Sequence, residues 1–254
     1  AQNGEAAAAV DSKAVTDAIA AAKADGAKEI VIAPVGKGSA GKVSVELPKT
    51  AVNDIVESSD AALNIQTDVG SIDIPNDTLS EILKAAGSTD IAMSVEKVNP
   101  TAVKDSLPAG AKLENAVAVE FSISSGDKTI ASFGGKALKV SVPVDAKKFA
   151  DGKTYTAFVV SADGKVESTT AKIVGGKAVV EMHHFSTVVV TDQVVSVTFT
   201  DVAAGAYYYD AVQWAAANGV TSGTDAAHFS PDAPCTRGQI VTFLYNDFST
   251  APSK

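Results

Sequence analysis

The sequence predicts an α+β fold in which an N-terminal α/β layered region runs into a β-rich, sandwich-like region and ends in a small helical repeat. Three observations carry this prediction. A strand–proline–helix unit occurs twice between residues 43 and 86. Short alternating segments separated by glycine-bearing turns fill residues 117–190. Two apolar patterns of helical period then flank a proline-bracketed loop between residues 209 and 244. Helices alternating with strands, followed by a run of strands, is the pattern of a mixed layered fold.

Residues 1–10 are small and polar and read as a flexible tail. The α/β region spans 11–112. Its first helix runs from Ser12 to Asp25, with Val15, Ala18, Ile19 and Ala22 on one face, and leads into the strand Glu29–Ala33. Val43–Leu47 alternates as a strand, Pro48 follows, and Ala51, Val52, Ile55 and Val56 keep helical spacing. Ser71–Ile74, Pro75, Leu79, Ile82, Leu83 and Ala86 repeat that design. A proline suits a helix start because its missing N–H would be unpaired there anyway. Strand-like stretches, Ala62–Thr67 and Asp90–Val95, follow each helix.

The β-rich region, 113–192, holds candidate strands at 117–123, 129–133, 137–142, 154–161, 165–173, 177–183 and 185–190. Ser125-Gly-Asp127, Ala162-Asp-Gly164 and Gly175-Gly176 supply hairpin turns. These strands either pack as a sandwich or extend the preceding sheet.

Composition narrows the function. At 254 residues the chain has ample length for a core as one large or two modest domains. A formal charge of −9 disfavours nucleic acid and anionic membrane as partners. The single cysteine, Cys235, excludes an intrachain disulfide and a cysteine-rich zinc site; it reads as a half-buried filler beside a helix cap. No apolar run is long enough for a membrane span, and no signal pattern opens the sequence.

The helical repeat spans 197–250. One helix is expected over Tyr209–Asn218, with Ala211, Val212 and Ala215 inward and Gly219 as its stop. Pro231 and Pro234 bracket a loop, and Thr236 with Gln239 has capping-box spacing ahead of an apolar face of Ile240, Val241, Phe243 and Leu244. Arg237, the sole arginine, falls at the first helical position, in a stretch without lysine between Lys177 and Lys254. A planar guanidinium beside unpaired helix N–H groups suits a carboxylate or a run of carbonyls.

Phe199-Thr-Asp-Val202, Tyr207–Gly223 and His228–Tyr245 together resemble one repeat of the surface-layer homology (SLH) family, bacterial modules that hold proteins on cell-wall polysaccharide. The resemblance implies that Arg237, within its Thr236-Arg237 motif, contacts acidic or ketal-bearing glycan, and that Asp201 is the acidic position of the opening motif. It implies an extracellular, cell-surface location in the S-layer or wall, with secondary wall polysaccharide as partner. Trp214 offers either a stacking face for a sugar or a core side chain. Against the glycan role stands a structural one, in which Arg237 pairs with Asp201, Asp210 or Asp232. Gly238 and Gln239 replace the Ala-Glu usual in the family. Residues 11–192, ending in His184-Phe-Ser186, more loosely resemble the extracellular module that precedes SLH repeats in Gram-positive surface proteins. One repeat of this size is marginal alone and is expected to pack against the preceding region or against copies of itself. A self-assembling structural protein, a homo-oligomer or an adhesin is therefore the alternative to wall anchoring.

Catalysis, cofactors and metals find no constellation. Gly36-Lys-Gly-Ser-Ala-Gly41 fits a dinucleotide fingerprint in spacing, but a strand and not a helix follows it. His183 and His184 point to opposite faces of a strand. Ser186 lacks a nucleophile elbow, and no carboxylate pair is singled out. A non-enzymatic protein is expected.

Overall fold

A computed structural model of the chain describes residues 5–9, 12–34, 41–108, 110–194, 199–217, 220–225 and 227–250. The chain divides into two compact units, Ala1–Gln193 and Val194–Lys254. The Gly36–Gly41 motif lies outside the described residues up to Gly41. From Gly41 the chain enters a strand, without the helix that a pyrophosphate site requires.

The first unit runs β1 (Glu5–Ala9), α1 (Ser12–Asp25), β2 (Glu29–Ile32), β3 (Lys42–Leu47), α2 (Lys49–Ser58), β4 (Ala62–Gln66), β5 (Ser71–Ile74), α3 (Asn76–Ala85) and β6 (Ile91–Val98). After a 3₁₀ turn at Pro100–Val103 come β7 (Val117–Ser125), β8 (Lys128–Thr129), β9 (Leu138–Pro143), β10 (Thr154–Val160), β11 (Val166–Val174), β12 (Lys177–Met182) and β13 (Thr187–Val194). The class is α+β. All the strands share one sheet, in the order β1-β3-β6-β7-β13-β10-β11-β12-β9-β5-β4-β2, with β8 paired to β7. The later strands therefore extend the earlier ones: β7 pairs with β6 and β9 with β5, both antiparallel.

The sheet curls into a half-barrel. Gly70, leading into β5, has room for no side chain: a Cβ there would lie 2.9 Å from the Ser141 carbonyl, 3.2 Å from Val95 and 3.4 Å from Phe121. Residues from β6 and β7 thus meet the far end of the strand order across one core.

The two strand–proline–helix units each cross between the ends of this sheet, β3–α2–β4 in one direction and β5–α3–β6 in the other. Pro48 and Pro75 stand at the caps with φ −55° each, and their carbonyls accept from Val52 and Leu79 to open the helices. Each helix start is tied to the end of the other. Asn76 donates to the carbonyls of Ile55 and Ser59, while Lys49 donates its N–H to Asp90 and its Nζ to the Gly87 carbonyl. These bonds pin the start of each helix to the chain at the end of the other. Ala51, Val52, Ile55, Leu79 and Ile82 are buried. Each large aliphatic among them contributes about 1.5–3 kcal/mol.

Alternation sorts side chains onto two faces. Along β10, Tyr155, Ala157 and Val159 join the main core, whereas Phe158 and Val160 join a smaller cluster on the opposite face. There, Val103, Leu107 and Leu113 of the β6–β7 connection cover Ala118 and Val189. The expected strand at 129–133 shortens to β8 plus one bridge between Ser132 and His184. Glu5–Ala9, expected within the tail, pairs in parallel with β3. Alanines carry no side-chain entropy to lose, and the edge of β3 offers backbone partners.

The second unit holds α4 (Tyr209–Ala217) and α5 (Arg237–Thr250). Its core is Phe199, Val202 and Val212, packed by Tyr208, Tyr209, Ala216 and Phe229. Among the described residues no helix is long and apolar enough to cross a membrane.

Candidate functional site

The second unit is organised around its loop at 220–230. Gly223 has φ +80°, and a Cβ there would lie 2.5 Å from the His228 carbonyl and 2.6 Å from Phe199. Only glycine fits. Thr224 and Asp225 donate their N–H groups to that same carbonyl. The Asp225 carboxylate accepts from the N–H groups of Ala227 and His228 and sits 2.9 Å from His228 Nδ1. Those donors, the Ala227 N–H first, hold its carboxyl below the usual range.

Asp201 closes the unit from the other side. Its two oxygens accept from the N–H groups of Phe229 at 2.9 Å and Ser230 at 2.7 Å, and these bonds lower its pKa. The Phe199 and Phe229 rings pack at 5.8 Å beneath. Asp201, singled out from its motif, therefore spends its acceptors on the backbone of the loop.

The loop delivers the chain to α5. Thr236 N–H donates to Gln239 Oε1 at 2.8 Å, and Gln239 N–H donates back to Thr236 Oγ1 at 3.2 Å. This is the reciprocal capping box expected from the spacing. Arg237 is the first residue of the helix and is exposed. Among the described residues it makes no ion pair. Asp201 is engaged elsewhere, no acidic residue stands in the first turn of α5, and the Asp210 side chain lies outside the described residues. Gln239 completes the cap through a neutral amide, so capping brings no carboxylate beside the guanidinium.

Residues 198–241 match the family model of the S-layer homology domain. The chain contains an S-layer homology domain. That domain implies a role at the cell surface and in association with the cell wall. No curated protein and no solved structure matches the chain.

Within the SLH domain, Thr236 and Arg237 adjoin at the head of α5, and Asp201 lies at the base of the loop that precedes it. The Trp214 side chain lies outside the described residues. Tyr207, 98% exposed and edge-on to Tyr208 at 5.0 Å, is a free aromatic surface in the same unit. It was legible only as one of three consecutive tyrosines. Gly223, Asp225 and Ser230 were missed, although Gly223-Thr-Asp225 is a turn-forming triplet. Cys235 is exposed, not half-buried, because the cap directs the residue before Thr236 to solvent.

Outside the SLH domain, His184 Nδ1 lies 2.5 Å from Ser186 Oγ, and its Nε2 lies 3.4 Å from Glu167. The order of groups is that of a hydrolytic triad. Ser186 is buried, however, in the short segment between His184 and β13, which denies a substrate the approach that a nucleophile needs. Among the described residues no group of three or more histidine, cysteine or acidic side chains is placed to hold a metal.

Proposed function

We propose that this protein is a non-enzymatic surface protein held non-covalently on secondary cell-wall polysaccharide, with Arg237 as the group that grips an acidic substituent of the glycan. The observation that carries this reading is an exposed guanidinium, without an ion pair among the described residues, at the capped start of a helix. A carboxylate brought there meets a bidentate donor, the N–H groups of the first turn and the positive end of the helix dipole. Thr236 fixes the helix start that aims Arg237. Asp201 acts through the loop as a positioning residue, and the exposed Tyr207 adds an aromatic face suited to a sugar ring.

The test is co-sedimentation of the full chain with purified wall sacculi, with and without their attached polysaccharide. Binding is expected only to sacculi that carry the polymer. Arg237→Ala is expected to abolish it, and Arg237→Lys to weaken it, with the melting of both units unchanged. Retained binding by Arg237→Ala would overturn the assignment.

A further inference from the structure

At the β2 margin of the sheet, neighbouring strands carry polar side chains in register on the face turned away from the main core. Leu63, Ile65, Ile72 and Ile74 point into that core. Asn64 of β4 and Asp73 of β5, which alternate with them, therefore share the opposite face. The two stand directly opposite each other across an antiparallel pair, and Lys139 of β9 stands opposite Asp73 on its other side. Glu29 of β2 reaches Asn64 diagonally, and Asn64 Nδ2 donates to Glu29 Oε1 at 2.5 Å. That bond fixes the amide. With Nδ2 turned to β2, the amide oxygen is left on the side of β5. Asn64 Oδ1 has less than 1 Å² open to solvent and no hydrogen-bond partner among the described residues. A buried acceptor left bare is costly, and water cannot supply the donor here.

We infer that Asp73 is the missing donor: in its neutral form its carboxyl O–H donates to Asn64 Oδ1, so that acid joins β5, β4 and β2 through one run of hydrogen bonds from Asp73 to Asn64 to Glu29. Ionised, Asp73 can only accept, and it sets a second negative charge beside Glu29 with a bare oxygen between them. A single proton taken from solvent removes both defects. The surrounding groups agree. Burial and Glu29 favour the neutral form, and Lys139 alone opposes them. Glu181 of β12, opposite Lys139 in turn, shares the field of that cation.

The consequence falls on β2, an outer strand held by β4 on one side only. When β2 frays, β4 lies open as a template for pairing with other chains, so the latch guards this margin as pH falls. Its response is the reverse of the second unit's, where the low pKa values of Asp201 and Asp225 cost stability in acid. The inference does not rest on glycan binding by Arg237.

Titration of the Asp73 carboxyl by carbon NMR, in the full chain and in Asn64→Leu, tests it. Leucine keeps the bulk and removes the acceptor. The Asp73 midpoint is expected to fall by about 0.4–1 pH unit in the variant, the worth of one hydrogen bond to the neutral form. A midpoint that stays or rises means that burial alone holds it, and overturns the inference. As a second measurement, amide exchange in β2, corrected for the intrinsic effect of pH, is expected to slow roughly 2- to 5-fold between about pH 7 and about pH 4. Asp73→Asn, whose amide donates at every pH, is expected to show the slower exchange throughout. Exchange in β2 that does not slow in acid, or that still slows in Asp73→Asn, overturns the inference.

Discussion

Ser230 donates its backbone N–H to the Asp201 carboxylate at 2.7 Å while holding a φ of 60°, the left-handed region that a serine seldom occupies. The bond to Asp201 compensates the backbone cost, and the opening motif of the SLH domain thereby acts as a brace for the loop ahead of Arg237.

The same brace makes the SLH unit acid-sensitive. Asp201 and Asp225 both have folded-state pKa values below the ordinary range, Asp201 chiefly through Phe229 N–H and Asp225 chiefly through Ala227 N–H. A depressed carboxyl pKa contributes stability that is present above the unfolded value, about 3.9, and is lost as pH falls through the folded value. Stability of the second unit is therefore expected to hold from pH 7 to about 5 and to fall below about 4. Amide exchange at Phe229 and Ser230, followed against pH, checks this; protection that persists well below the folded values would contradict it.

Gly223→Ala forces a Cβ to within 2.5 Å of a carbonyl at φ +80°. Backbone strain and overlap together are expected to cost more than about 2 kcal/mol. Calorimetry of the full chain checks this as a lowered melting transition; an unchanged thermogram would contradict it.

Asp73 in β5 has a raised pKa, from burial first and then from Glu29, with Lys139 opposing. A raised carboxyl pKa is a penalty on the folded state that is present above the folded value and relieved as pH falls through it. Asp73→Asn is expected to stabilise the first unit at pH 7 by less than ~1 kcal/mol, since the group keeps much of its solvent screening. The gain should vanish in acid, where Asp73 is itself neutral. Denaturant unfolding at pH 7 and at pH 3.5 makes the comparison.

Local structure was legible where a pattern had a local cause. Pro48 and Pro75 marked two helix starts, Thr236 and Gln239 marked a third, and alternation marked most strands. Strand order was not legible, because the pairing of β9 with β5 joins residues about seventy apart through contacts that no local period records. The exposure of Ile240, Val241 and Leu244 on α5 was hidden for a related reason. Periodicity identifies a stripe, but which side of a helix faces its own protein depends on the loop that delivers it, and that loop turns on Gly223, Asp225 and Ser230. At the site, Arg237 was legible by its rarity, whereas the engagement of Asp201 with Phe229 and Ser230 needed coordinates.

Both outer strands of the sheet, β1 and β2, come from one short stretch joined by α1. They shield β3 and β4, whose backbones would otherwise lie bare at opposite margins. A protease that trims the chain back to Lys42 therefore strips both hems with one cut. The trimmed protein would keep most of its core and only move its two open margins inward, to β3 and β4, each one residue longer than the strand it loses.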